Sequence, residues 1–527
     1  PAQDANTPVS QLTASSPIFT FTDVPETRVG VDPNNELRLT MMDAIARAVR
    51  QNNDIEISKF DVKTSEYNVF AAKGAYDPII GAEVSFQSAT FPITNIFGGG
   101  GTALSANQKD LVFNGTYDQP FKSGARLSAF FNNDRQATDA TNQTLNPQYQ
   151  PRLGVEFSQP LMRNLEFDAT RRNIELAKRQ FDLSDAQFRQ MVIDIISQTQ
   201  RAYWDLVYAL RNEQIQRESV QLARVQLENN LKQVEAGTLA PIELRSTESD
   251  LEARKESVIQ AMQAITVAEN ALKNLMITDP TDPLWSAKII PLDPAGLVPT
   301  GVDLDAAFQS AIQNRPELEQ LKLRTNLKEI DRKFYKNQLK PQLDMFANYS
   351  IQGVAGTPSL NPDLNTFIPD RFVGGYGRAL GTLFSNDFNT YAVGIRFSFP
   401  IGNNVAEANF GRTEAELRQL DAEQRKLVQS IQVEVRNALQ AVEAARQRYE
   451  AARASRIAAE AQLQGEEERF RAGLSTNFFV LDRQNQLSEA RGREAQALTD
   501  YNKAIVDLQR VTGTTMAVNN VTVTAKS

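Results

Sequence analysis

The chain has neither histidine nor cysteine in 527 residues. That absence removes the imidazole general base, the thiol nucleophile, haem ligation and the usual zinc sites together. Ser, Asp, Glu and Lys remain and are plentiful, yet they form no nucleophile elbow, phosphate-binding loop or metal-ligand spacing. No catalytic, cofactor-binding or metal-ligating residue is assigned, and no cofactor is expected. The spacings that do carry information concern how side chains divide between lipid, water and one another.

One such spacing has a period of two. Tyr391, Val393, Ile395, Phe397 and Phe399 alternate with Ala392, Gly394, Arg396 and Ser398, and Leu343, Met345, Ala347, Tyr349 and Ile351 step the same way. In the first half Ile80, Ala82, Val84 and Phe86 alternate with Gly81, Glu83, Ser85 and Gln87. Leu153, Val155 and Phe157 alternate with Gly154, Glu156 and Ser158. Strands of about 9–11 residues, apolar on one side, have the length a tilted membrane strand needs. A soluble sandwich has the same alternation, but each half offers too few strands to close a core. Leu111, Phe113 and Tyr117, a Lys122-Ser123-Gly124 turn, then Leu127, Ala129 and Phe131 signal a further hairpin near 108–136. The sequence leaves open whether it joins the wall or sits in a loop. No run approaches 18 apolar residues, so a membrane role must use strands, the only other element that satisfies every backbone group in lipid.

The second spacing is a heptad. From about 165 to 236 and 405 to 472 there is no Pro and almost no Gly, and at 1.5 Å per residue each helix would span roughly 100 Å. Val435, Ala438, Val442, Ala445, Tyr449, Ala452, Arg456, Ala459 and Leu463 step by three and four alternately, which predicts a left-handed supercoil. Ala at one position of each heptad lets helix axes approach closely. Each long helix stops at Gly237 or Gly473, which suit a left-handed C-terminal turn, and a second helix returns.

These elements occur twice in the same order. Ile55 and Glu56 answer Leu318 and Glu319, Leu-Gly-Val-Glu-Phe-Ser-Gln-Pro (153–160) answers Val-Gly-Ile-Arg-Phe-Ser-Phe-Pro (393–400), and Glu-Ala-Gly (235–237) answers Arg-Ala-Gly (471–473). The expected organisation is an extended N-terminal segment over 1–36 and a first repeat over 37–277, with strands about 79–160 and a helical hairpin about 165–277. A linker follows over 278–301. The second repeat covers 302–513, with strands about 342–400 and a hairpin about 405–513, before a polar tail over 514–527. Gly98–Gly101 and residues 353–385 read as flexible excursions. A net charge of -8 and a pI near 5.1 argue against nucleic-acid binding. Pro1 in place of Met predicts a processed chain without a sulfur-linked lipid at its start.

The duplicated unit, the strand-then-Pro signature at Gln159-Pro160-Leu161 and Phe399-Pro400-Ile401, and the run Arg471-Ala472-Gly473-Leu474-Ser475-Thr476 followed by Val480-Leu481-Asp482 resemble the TolC family of bacterial outer-membrane efflux proteins. The resemblance covers about 37–513. It implies a mainly α fold with membrane β. Three copies would form a 12-stranded outer-membrane β-barrel, four strands from each, continued by a long periplasmic α-helical barrel. It implies a passive exit duct for a tripartite efflux or type I secretion system, with outer-membrane lipid, a periplasmic adaptor protein and an inner-membrane transporter as partners. It also implies that Gly473, Leu474, Ser475, Thr476, Val480 and Leu481 form one adaptor-docking tip, and Gly237 and Leu239 a looser second one. Glu243 and Asp482 fall near the family's acidic gate positions. Phe479 stands where an acidic residue is common, so Phe478 and Phe479 are candidates for an apolar constriction instead. The alternatives are that the tip glycines only cap helices, that the charges only face solvent, or that the whole is a periplasmic coiled-coil adaptor or structural envelope protein.

Overall fold

The structure, a computed structural model, describes residues 27–93, 104–140, 143–293, 296–297, 301, 303–359 and 367–523. Gly98–Gly101 and most of the leading segment lie outside them. The elements begin with β1 (Asp32–Leu39), α1 (Met41–Gln51) and α2 (Asn53–Lys73). Four strands follow: β2 (Ile79–Pro92), β3 (Ser105–Pro120), β4 (Arg126–Thr138) and β5 (Leu145–Pro160). Helices α3 (Ala169–Glu235) and α4 (Pro241–Met276) precede β6 (Ala287–Pro291), α5 (Leu304–Asn314) and α6 (Pro316–Gln338). The second set of strands is β7 (Gln342–Gln352), β8 (Ala355–Pro358) and β9 (Phe388–Ser398), with α7 (Tyr376–Phe384) between the last two. The chain closes with α8 (Asn404–Arg471), α9 (Asn477–Val511) and the single turn α10 (Thr515–Val518). No helix among the described residues is long and apolar enough to cross a membrane.

These elements divide into two compact units, and α2, α3 and α8 each contribute to both. The β unit takes in residues 56–191 and 315–432. Its antiparallel sheet runs in the order β2-β3-β4-β5-β7-β9, with β8 paired to β5. Residues directly opposite across a ladder share a face. Ile80, Tyr117, Ala129, Val155, Tyr349 and Tyr391 therefore form one row on one side of all six long strands. The neighbouring rows on that side bring in Val84, Phe113, Phe131, Leu153, Ile351 and Val393, so one apolar face crosses the whole sheet. It is largely uncovered at the margins, where Ile80 is 81% and Val393 74% exposed. The opposite face carries Glu83, Asn114, Asn132, Arg152 and Gln352 in one row. On this polar face Phe130 lies across from Gly154 and Phe346 across from Gly394. A Cβ on either glycine would meet the ring at 2.5 and 2.6 Å.

The hairpin whose place the sequence leaves open is β3–β4, and it is part of this sheet. The sheet therefore has six long strands, where the family resemblance implies four. Residues 353–385, read as a flexible excursion, contain β8 and α7. Ala379, Thr382 and Leu383, spaced three and four apart, bury one side of α7, and Gly353 lets the chain pass close under it. Beneath the sheet α3 packs on α6 through Leu183, Ala186, Leu323 and Leu327, and Arg172 joins Asp331 while stacking over Phe334.

The helical unit takes in residues up to 55, 192–314 and 433–522. The segment expected as a linker is partly structured, because Ala287–Pro291 pairs in parallel with β1 and buries Ile289. The five residues of β6 are too few for a period to show, and the eight of β1, Asp-Pro-Asn-Asn-Glu-Leu-Arg-Leu, are mostly polar and carry no apolar alternation across their length. Both strands are held by Glu269 of α4, nearly fully buried, which accepts from the Ile289 N–H at 2.9 Å and pairs with Lys273 and Arg28. Burial holds the Lys273 ammonium below its usual range, against the pull of Glu269. The α3–α4 hairpin packs through Val220, Ala223, Leu251, Val258 and Met262. Along α8, Val435, Ala438, Val442, Ala445 and Leu463 are buried while Arg448, Arg453 and Ile457 between them face out, which is the stripe a heptad seam makes.

Candidate functional site

Both helical hairpins turn at a glycine in the left-handed region, Gly237 at φ +73 and Gly473 at φ +72. The turn geometry is the same in each. Gly237 N–H donates to the Val234 carbonyl and Thr238 N–H to Gln233, while Gly473 N–H donates to Phe470 and Leu474 N–H to Arg469. Those bonds satisfy the last carbonyls of α3 and α8, the pattern that ends a helix on a left-handed residue. No atom stands within 4 Å of a Cβ built on either glycine. The restriction at the tips is therefore in the backbone, not in packing space. Pro241 at the first turn of α4 starts the returning helix without an unsatisfied N–H.

The other residues expected at the tips fall into two groups. Leu474 is 80% exposed, Thr476 and Gly473 are open, and Leu239 is half-covered. Ser475 is held by a hydrogen bond to the Glu466 carboxylate on α8. Val480 and Leu481, by contrast, are buried, so within this chain they support α9 and offer no surface to a partner. The apolar stripe of α9 turns them inward. Phe478 and Phe479 project outward with their rings edge to face, centroids 5.6 Å apart. Asp482 accepts from Gln486 one turn along at 2.7 Å, and Glu243 is half-buried at the start of α4.

Directly inside the tips lies a cluster that reading the sequence did not single out. Gln226 donates from its amide to both Asn230 and Asn477, each at 2.9 Å. Asn230 and Asn477 in turn donate to the Thr247 hydroxyl at 2.8 and 3.1 Å, and that hydroxyl donates to the Glu243 carbonyl. Every member is buried. The four side chains close a hydrogen-bonded ring that joins α3 and α4 of one hairpin to α9 of the other. A buried ring of this kind is favourable only while every member is paired. The available signal was polar side chains at core-facing positions, Gln226 and Asn230 one turn apart on α3. Nothing local in the sequence points to Asn477 as their partner.

Further along the same helices the links are ionic. Arg254, buried on α4, bonds Asp250 at 2.7 Å and reaches Ser219 on α3, while Arg491 on α9 bridges Glu218 and Glu460. No cluster of three or more carboxylates able to hold a metal occurs among the described residues. What this geometry does is fasten and turn helices; it brings no reactive groups together.

A family model described as outer membrane efflux protein matches residues 124–276 and 307–514. Among solved structures, the Campylobacter jejuni CmeC outer membrane channel is similar at 16% identity and a TM-score of 0.62, over 90% of this chain and 85% of that one. The open-state Neisseria gonorrhoeae MtrE outer membrane channel is similar at 15% identity and TM-score 0.58, over 90% and 88%. The Vibrio cholerae outer membrane protein VceC is similar at 14% identity and TM-score 0.61, over 90% and 96%. No curated protein matches the sequence at a significant level.

Proposed function

This chain belongs to the outer membrane efflux protein family, and from that premise we propose that three copies assemble into one duct whose helical tips receive a periplasmic adaptor. Membership makes the protein an outer-membrane exit channel that reaches into the periplasm, and not an enzyme. Work must come from an inner-membrane transporter, the partner to which the adaptor would connect it.

The observation that carries closure by several copies is the open sheet, and the number three is what the family resemblance implies. Six amphipathic strands present an apolar face uncovered over much of its width and, among the described residues, two unpaired edges, β2 and β9. Open edges are prohibitive in lipid, so copies must pair edge to edge until the sheet closes. A cyclic arrangement does so with one kind of contact, and the internal duplication then gives the wall six similar hairpins.

The docking role rests on the two matched glycine turns and, beside the second, the exposed Leu474 and Thr476 with the half-buried Ser475 between them. Gly237 and Leu239 form the weaker counterpart, and Val480 and Leu481 act from beneath. Phe478, Phe479 and Asp482 are assigned to the entrance, with Glu243 at the other hairpin. Purified protein in planar bilayers tests the duct, with stable single-channel conductance the expected result. Copurification of an adaptor and pump with wild type but not with tip variants tests the docking. A protein that stays monomeric in detergent and conducts nothing would overturn the trimer.

A further inference from the structure

We propose that each copy contributes six strands to the outer-membrane wall rather than four, so that three copies close an eighteen-stranded barrel. The inference rests on the trimeric duct proposed above. Three observations carry it. First, β3 and β4 are paired with their neighbours along most of their length, and their alternation stays in phase with the rest. Leu111, Phe113, Tyr117, Leu127, Ala129 and Phe131 share the apolar face with Val84, Val155 and Val393. A hairpin lying free in water would have no reason to keep that phase across both of its boundaries.

Second, the β3–β4 turn is built into the corner where the sheet meets the helices. A Cβ on Gly124 would come within 3.1 Å of both Pro160 and Asn164. Ser123 and Gln159 are hydrogen-bonded to one another, and Gln159 also donates to the Ser123 carbonyl at 3.2 Å. On the other side Gln119 donates to the Tyr76 carbonyl at 3.0 Å. The hairpin is thus fastened to both the incoming and the outgoing corners. Third, among the described residues the strands left with an open edge are β2 and β9. In both, nearly every residue is exposed on either face, whereas β4 is at least partly covered at every residue after Arg126.

The consequence is a wider mouth. Strands about 4.8 Å apart and tilted about 40° each occupy about 6.3 Å of perimeter, so eighteen give a backbone diameter of about 36 Å against about 24 Å for twelve. Barrels of the larger class leave an open aqueous lumen.

The absence of native cysteine makes cross-linking a clean test. Val393→Cys on β9 is combined in turn with Ile80→Cys, Ala82→Cys or Val84→Cys on β2, and separately with Ala129→Cys on β4. A further variant pairs Ala82→Cys with Leu153→Cys. Those two lie in one row, three strand spacings or about 14 Å apart in a six-stranded copy, beyond disulfide reach. The expected result is a subunit-to-subunit disulfide between β9 and β2 in at least one register and none for the other two pairs. A bond between Ala82→Cys and Leu153→Cys, one between β9 and β4, or trimers without any β9–β2 bond would each overturn the six-stranded wall while leaving the trimeric duct intact. Absence of trimers altogether would instead remove the duct and the wall with it. As a second readout, removal of residues 105–138 lets β2 pair directly with β5 without reversing either. Neutral polymers added from the extracellular side should then be excluded at a smaller size than in wild type; an unchanged cut-off contradicts the wider mouth.

Discussion

Asn230 donates from its side-chain amide to the Thr247 hydroxyl 2.8 Å away, and neither side chain has any measurable exposure to solvent. The same hydroxyl accepts from Asn477, so a single atom ties the first helical hairpin to the second. Thr247→Val keeps the volume and removes that atom, leaving two buried amide groups without an acceptor at about 1–3 kcal/mol each. The hairpins should separate more readily. In planar bilayers the variant is expected to show higher resting conductance than wild type, and unchanged conductance would show that the ring does not restrain the entrance.

Gly473→Val is expected to abolish efflux while trimers still reach the outer membrane. The cost is confined to the backbone, about 1–2 kcal/mol for an L residue held at positive φ, since nothing crowds the new side chain. The turn relieves it by unwinding, which displaces Leu474 to Thr476 from the tip. Gly473→Ala should fall between the two. Drug or toxin susceptibility, measured alongside heat-resistant trimer on gels, separates lost docking from lost assembly.

Asp482→Ala bears on the entrance. Three Asp482 carboxylates gathered near one axis would repel one another and attract cations. Removing them is expected to raise conductance or weaken block by multivalent cations. If neither changes, the residue belongs to the outer surface of α9, where its bond to Gln486 already holds it.

Glu269→Ala addresses stability. It strips the buried partner from Arg28 and Lys273 and the acceptor from the Ile289 N–H. Breaking a buried ionic cluster by losing one member costs about 3–5 kcal/mol. Thermal unfolding of the purified protein should begin at a clearly lower temperature, and Glu269→Gln, which keeps an acceptor, should lose less. Equal melting of both variants with wild type would mean that the β1–β6 pair is held by its apolar contacts alone.

Much of the architecture is written in short-range patterns. The strand alternation, the α8 seam and the two glycine turns depend on residues a few positions apart, so the chain declares them directly, and the duplication shows because those short patterns recur in the same order. Partnership between distant segments is different. Alternation placed Leu111 and Phe131 on the same side of a hairpin but did not specify which strands flank it, because phase determines face and not neighbour. Five residues of β6 are too few for a period. The family resemblance puts Val480 and Leu481 at the docking tip, yet the helix turns both inward. Asn477 reads locally as an ordinary first-turn residue, and only the approach of α3 and α4 makes it a ring member.

The sheet also limits how such a protein can grow. Every crossing reverses the direction of the chain, and α3 must leave on the side where α2 arrived. A single additional crossing would send the long helix out of the cell, whereas a pair returns the polypeptide to the side it came from. In the six-stranded wall proposed above, crossings can therefore be added or removed only by twos, and the β3–β4 pair is a unit of that size, one that would change girth while leaving the heading of the later helices intact.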